Sequence, residues 1–133
     1  MAIEVSWYDA DKTIRHWRFV GDWGWGEFFK RLAESVPEVE ARGCRVDTIV
    51  DLTETGLRMS GVVENFREAQ KAHASNVRLH VIVGGPLVRA AVNLFAEFLN
   101  GIHDRYVYAS SISEALALIA RDRAEDAFSS PPK

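Results

Sequence analysis

Thr48-Ile-Val-Asp-Leu-Thr-Glu-Thr-Gly-Leu-Arg-Met-Ser-Gly-Val-Val63 passes from a buried strand through a polar loop into the start of a helix. The strand is expected to stop near Leu52, because Asp51, Thr53, Glu54, Thr55 and Gly56 favour turns and side-chain hydrogen bonds over ladder continuation. A helix is expected from Ser60, whose hydroxyl suits the free N–H groups of a first turn. Val62, Val63, Phe66, Ala69 and Ala72 follow it at near-helical spacing. A small hydroxyl residue thus stands where a helix dipole accepts negative charge.

Outward from this stretch, the N-terminal side is β-like. Ile3, Val5 and Trp7 alternate with Glu4 and Ser6, Asp9 to Lys12 turns the chain, and alternation resumes from Thr13 to Val20. Residues 3 to 20 therefore read as an antiparallel hairpin. Gly21-Asp-Trp-Gly-Trp-Gly26 precedes an amphipathic helix with Trp25, Phe28, Phe29, Leu32 and Val36 on one face. Trp23 and Trp25 read first as rings that pack this helix on the hairpin and second as a platform for a bound ring. Pro37 is expected to break or restart the helix, and Gly43 to close it.

On the C-terminal side, Val77 to Val83 is a strand, with Arg78, His80 and Ile82 opposite Val77, Leu79, Val81 and Val83. The alternation predicts one solvated sheet face carrying His16, Arg18, Asp47, Arg78 and His80. Gly84-Gly85-Pro86 opens a long helix with Val88, Ala91, Val92, Phe95, Phe98, Leu99 and Ile102 inward. Its loop lacks the spacing of a Walker A or dinucleotide motif. Arg105 to Ala109 is a last strand, and Ser111-Ile-Ser-Glu114 is a capping box opening the last helix. The pattern fades near Asp122, so residues 1–123 are expected to be one domain and 124–133 a flexible tail.

The order of elements predicts an α/β fold: a mixed five-stranded sheet, an N-terminal antiparallel hairpin followed by parallel strands, with about four helices mainly on one face. In 133 residues, 47% are hydrophobic and 26% charged, a globular composition with no apolar run long enough to span a membrane. The first residues lack the basic leader and apolar core of a secretory signal, and a cytoplasmic location is expected. A net charge of −3 argues against broad adhesion to nucleic acid. The single cysteine, Cys44, supplies neither an internal disulfide nor a multi-thiolate metal site.

Catalysis finds little support. His16 and His80 fall in strand patterns, His73 near a helix end and His103 in a turn, none aimed at Ser60. Asp47 and Asp51, four residues apart on a strand, lie about 13 Å from each other on one face, too far for a coupled pair. They read as partners of strand-end backbone or of arginines. No catalytic residue, metal or cofactor is expected.

The topology, Asp51-Leu52-Thr53, Ser60-Gly61, the Leu79-His-Val-Ile-Val-Gly84 strand and the Ser111 to Ile119 segment together resemble the STAS family, the fold of bacterial anti-sigma-factor antagonists, related to the CRAL-TRIO-like superfamily. The resemblance covers most of residues 3 to 121. It implies a non-enzymatic regulatory or protein-interaction domain with a phospho-acceptor at Ser60 or Thr53. It also implies a partner-binding loop that includes Asp51, Thr55, Gly56, Met59 and Gly61, and a protein partner such as an anti-sigma factor or kinase-like regulator, or a second copy in a homodimer. Met59 stands where that family usually carries an acidic residue, so a domain keeping the fold without the switch is one alternative. Another is a binding module for a small apolar or lipid-like ligand, with Trp23, Trp25, Leu57, Gly84 and Gly85 as the candidate pocket.

Overall fold

The computed structural model describes residues 2–55, 61–99 and 104–129. Its elements are β1 (Ile3–Trp7), β2 (Ile14–Val20), α1 (Trp25–Glu40), β3 (Val46–Glu54), α2 (Val62–Ala72), β4 (Val77–Val83), α3 (Pro86–Leu99), β5 (Arg105–Ala109) and α4 (Ile112–Ser129). The five strands lie in chain order across one sheet, β1-β2-β3-β4-β5. β1 runs antiparallel to β2, and every later pair is parallel. This is the mixed sheet that the element order predicts.

Strand order fixes the layers. Each parallel strand is added on the same side of its predecessor, and crossovers of one hand then lay successive helices on one face. Accordingly α1, α2 and α3 share a core with the sheet side chains Trp17, Phe19, Leu52, Ile82 and Tyr106. α4 follows the last strand, has no crossover to complete, and covers the opposite face, where Ala115 and Ile119 pack on Ile14, Ile49, Leu79 and Val81. Both faces of the central strands are therefore buried.

That second layer overturns the expected solvated face. Asp47 is fully buried beneath α4, and His80 is buried on the other face, under the three-helix layer. They do not share a surface with Arg18, which is half-buried and pairs with Glu4 and Glu54. Asp47 accepts hydrogen bonds from Arg45 Nη2 at 3.0 Å, Arg123 Nε at 2.6 Å and the Leu79 N–H at 3.1 Å. Its expected role as a partner of backbone and arginines is the one observed.

Four boundaries differ from expectation. β3 runs to Glu54 and not to Leu52, because β2 keeps pairing with it past a register shift and the Gly21 N–H reaches the Glu54 carbonyl. α2 starts at Val62 and not at Ser60. Its N-cap is Gly61, whose φ of 68° is a left-handed conformation cheap only for glycine. α1 continues through Pro37 to Glu40, since a proline so near the end forfeits one hydrogen bond while the helix stays packed on the sheet. α4 continues to Ser129, so the chain from residue 124 to 129 is helix and not tail. Arg45 holds that end of it, reaching Asp122 at 2.6 Å and Asp126 at 3.2 Å.

Candidate functional site

The sheet face under α1 and α2 does not close completely. A cavity of about 80 Å³, counted as room for the centre of a water-sized sphere, lies between β2, β3, β4, β5 and these two helices. It has room for several waters. Its walls are mostly apolar. With no reversal of strand order there is no switch-point crevice at the sheet's carboxyl edge. The space lies instead between sheet and helices.

One end of the cavity is aromatic. Phe19 and Trp23 meet edge to face at 4.8 Å, Trp23 and Trp25 at 4.9 Å, and Trp25 meets Phe66 of α2 at 5.6 Å. The Gly-Trp alternation before α1 serves this packing: Gly24 is the N-cap in extended conformation, and Trp23 and Trp25 fold back over the hairpin. The same rings are cavity wall, so the two readings of Trp23 and Trp25 coincide in space.

The other end is polar. Buried Arg15 lies over the Trp7 ring at 4.7 Å, donates to Ser35 Oγ at 2.9 Å and pairs with Glu38 at 2.7 Å. Beside the cavity, three side chains from separate elements converge: His73 at the C-cap of α2, His80 in β4 and Asp104 just before β5. Asp104 Oδ2 is 2.9 Å from His73 Nε2 and 3.3 Å from His80 Nε2. His73 Nδ1 is 2.7 Å from the Ala74 carbonyl oxygen. His80 stacks face to face on Tyr106, its register partner in β5, at 4.3 Å.

Burial sets the electrostatics of this end. It pushes the His80 imidazole down, against the opposing pull of Asp104, so this ring is neutral at pH 7. Burial raises the Asp104 carboxyl, but the adjacent imidazoles of His80 and His73 hold it below the usual range. Tyr106 is driven up, first by burial and then by the Asp104 charge, and stays a phenol. Among the described residues, His73, His80 and Asp104 are the group whose donor atoms, all within 4.8 Å of one another, suit a metal ion.

The residues singled out in the sequence are scattered. Asp51 and Thr53 end the central strand: buried Asp51 accepts from the Thr53 N–H at 3.0 Å and from its hydroxyl at 2.6 Å. The Thr55 hydroxyl donates to the Gly21 carbonyl. Gly61 caps α2. Gly84 and Gly85 precede α3 outside the cavity wall, and the Gly84 carbonyl accepts from the Tyr108 hydroxyl at 2.5 Å. Gly56, Leu57, Met59, Ser60 and His103 lie outside the described residues. Cys44 is exposed.

The fold joins what sequence spacing separates. His73 and His80 are seven residues apart across a turn, in no metal-binding spacing, and Asp104 lies a whole crossover further on. The usable signal is parallel pairing, which sets His80 opposite Tyr106 and thereby Asp104 beside it. No family model, curated protein or solved structure matches this chain.

Proposed function

We propose that this protein is a non-enzymatic binding domain that takes a small apolar ligand in the cavity between the sheet and helices α1 and α2. The observation that carries this reading is the cavity itself: apolar, set between sheet and helices, walled by aromatic rings at one end and ending in imidazoles at the other. Concave apolar sites with a few convergent polar groups are the usual form of small-molecule sites. Aromatic walls suit a flat or single-ring body, and the neutral His80 suits a hydrogen bond at its tip.

The test is thermal unfolding with and without benzene or toluene, comparing the wild type with Ala69→Leu and Val36→Phe, which place bulk in the cavity from α2 and α1. A ligand bound to the native state raises Tm by mass action. The expected result is a Tm that rises with ligand concentration in the wild type and is flat in either filled variant that retains a native circular dichroism spectrum. Equal shifts in wild type and filled variants would exclude the cavity as the binding place.

A second reading is a STAS-like regulatory or interaction domain that presents the end of β3 and the start of α2 to a protein. Its support is the position of Asp51-Leu52-Thr53 at the carboxyl end of the central strand, with Thr53 exposed. Intact-mass and fragmentation spectra of protein from its own source decide it. Phosphate on Ser60, Thr53 or Thr55 supports the switch, and a bare mass under conditions that preserve phosphoester removes it. No helix among the described residues is long and apolar enough to cross a membrane.

A further inference from the structure

We infer that His73, His80 and Asp104 form a binding site for a divalent transition-metal ion, with zinc as the reference ion, at the polar end of the cavity. The inference does not depend on the ligand proposed for the cavity.

The hydrogen-bond logic begins at His73. Its Nδ1 faces the Ala74 carbonyl oxygen at 2.7 Å, and a carbonyl only accepts, so Nδ1 carries the proton. In the neutral ring Nε2 is then a lone pair, and it points at a carboxylate oxygen 2.9 Å away. Two acceptors at that distance require a proton between them, on His73 or on Asp104, or a metal ion. Such a proton answers for one contact of Asp104 Oδ2. It does nothing for His80, whose Nε2 lies 3.3 Å from the same oxygen and has no hydrogen-bond partner. His80 Nε2 and Asp104 Oδ2 are both buried polar atoms without a hydrogen-bond partner, on side chains 8% and 7% exposed. Such atoms are rare in native proteins and point to something that binds them.

The donor set fits. Two imidazole nitrogens and one carboxylate oxygen are the ligands of zinc and of non-haem iron sites with open positions. Bonds of about 2.1 Å at octahedral or tetrahedral angles put neighbouring ligand atoms about 3.0 to 3.4 Å apart. The two contacts at Asp104, 2.9 and 3.3 Å, are already of that size, and the three donor atoms lie within 4.8 Å of one another, so the two imidazoles close toward each other when an ion binds. The Ala74 carbonyl supplies the second hydrogen bond that metal-bound histidines almost always make, fixing tautomer and ring direction. The ligands come from a helix end, a strand and a strand entry, so the fold holds them without a sequence motif. Both imidazoles also belong to the cavity wall, which leaves a position for water or another donor on the cavity side.

The experiment is equilibrium binding of Zn²⁺ to the EDTA-stripped full chain by calorimetry, with Co²⁺ visible absorption reporting coordination. The variants are His73→Gln, Asp104→Asn, and the control pair His16→Gln and Cys44→Ser. The expected result is one ion per chain, a ligand-field spectrum with Co²⁺, and affinity weakened about 100-fold or more in His73→Gln and Asp104→Asn. The controls are expected to bind as wild type. Absence of binding, binding that survives both ligand variants, or binding lost in a control overturns the assignment. Should both ligand variants fail to fold, imidazole NMR of the wild type decides. Zn²⁺ shifts confined to His73 and His80 support the site, and shifts at His16 or His103 in their place refute it.

Discussion

A carboxylate with no access to water must find its counter-charges inside the fold, and Asp47 shows how. Two guanidiniums and a backbone N–H meet its oxygens, tying β3 to α4 and to β4. Removing one partner from such a group strands the other charges, which typically costs about 3–5 kcal/mol. Asp47→Ala is therefore expected to lower the unfolding free energy by about that amount in urea titrations. A loss under 1 kcal/mol would mean that Arg45 and Arg123 find water when the carboxylate is gone. Asp9 makes the contrasting case at the hairpin turn. Partial burial raises its pKa, but the Thr13 hydroxyl and the N–H groups of Ile14 and Thr13 donate to it and hold it below the ordinary value. A carboxyl depressed in the folded state stabilises fully above its unfolded pKa, about 3.9, and that stability fades as pH falls through the folded value. The wild type is thus expected to lose more of its urea midpoint than Asp9→Ala between pH 6 and pH 2.5. Parallel pH profiles would show that the turn does not depend on the carboxylate.

Among the elements, the junction of β4 and α3 turns on one glycine. A Cβ at Gly84 would stand 2.7 Å from Val88 Cγ2 and 2.8 Å from Val88 Cβ, closer than carbon atoms approach. Gly84→Ala forces the strand end and the first turn of α3 apart, a strain of about 1–3 kcal/mol. The check is a double-mutant cycle in chemical denaturation: Val88→Gly removes Cβ and both γ carbons, the atoms in the way, so the two losses are expected to be strongly non-additive. Additive losses would place the cost elsewhere. Elements of this kind were legible where their signals are local. The alternation of residues 3 to 20, the glycine before α1 and the serine before α4 each carry a short-range cause, and the Glu114 N–H does donate to Ser111 Oγ at 3.1 Å. The reciprocal bond differs in detail, since Glu114 accepts from Ser110 N–H at 3.2 Å. What was not legible is the end of α4. Its apolar periodicity stops near Asp122 because ion pairs of Arg45 and Arg123, and not apolar side chains, hold the last turns. A hydrophobic pattern cannot report a helix held by charge.

At the scale of the molecule, the same limit explains why the candidate site was hidden while the sheet was not. Strand order follows from local crossovers, whereas the site needs His73, His80 and Asp104 to meet from three elements, and no spacing encodes that meeting. His80 in particular reads as a solvated strand residue until the helical layer above it is known. The layering also predicts how the fold opens. β3 is the central strand, paired on both sides and covered by α4 on one face and by α1 and α2 on the other. β1 is an edge strand with a single neighbour, and its residues alternate between buried or half-buried and exposed. Exchange of amide hydrogens reports such differences as opening free energies between about zero and the global value. Amides of β3 are expected to exchange only through global unfolding, with the denaturant dependence of the whole chain. Those of β1 are expected to exchange through local opening, nearly independent of denaturant. β1 protected as strongly as β3 would mean that the hairpin opens only with the sheet, and that its aromatic neighbours Trp17 and Phe19 tie it to the cavity wall more firmly than an edge strand requires.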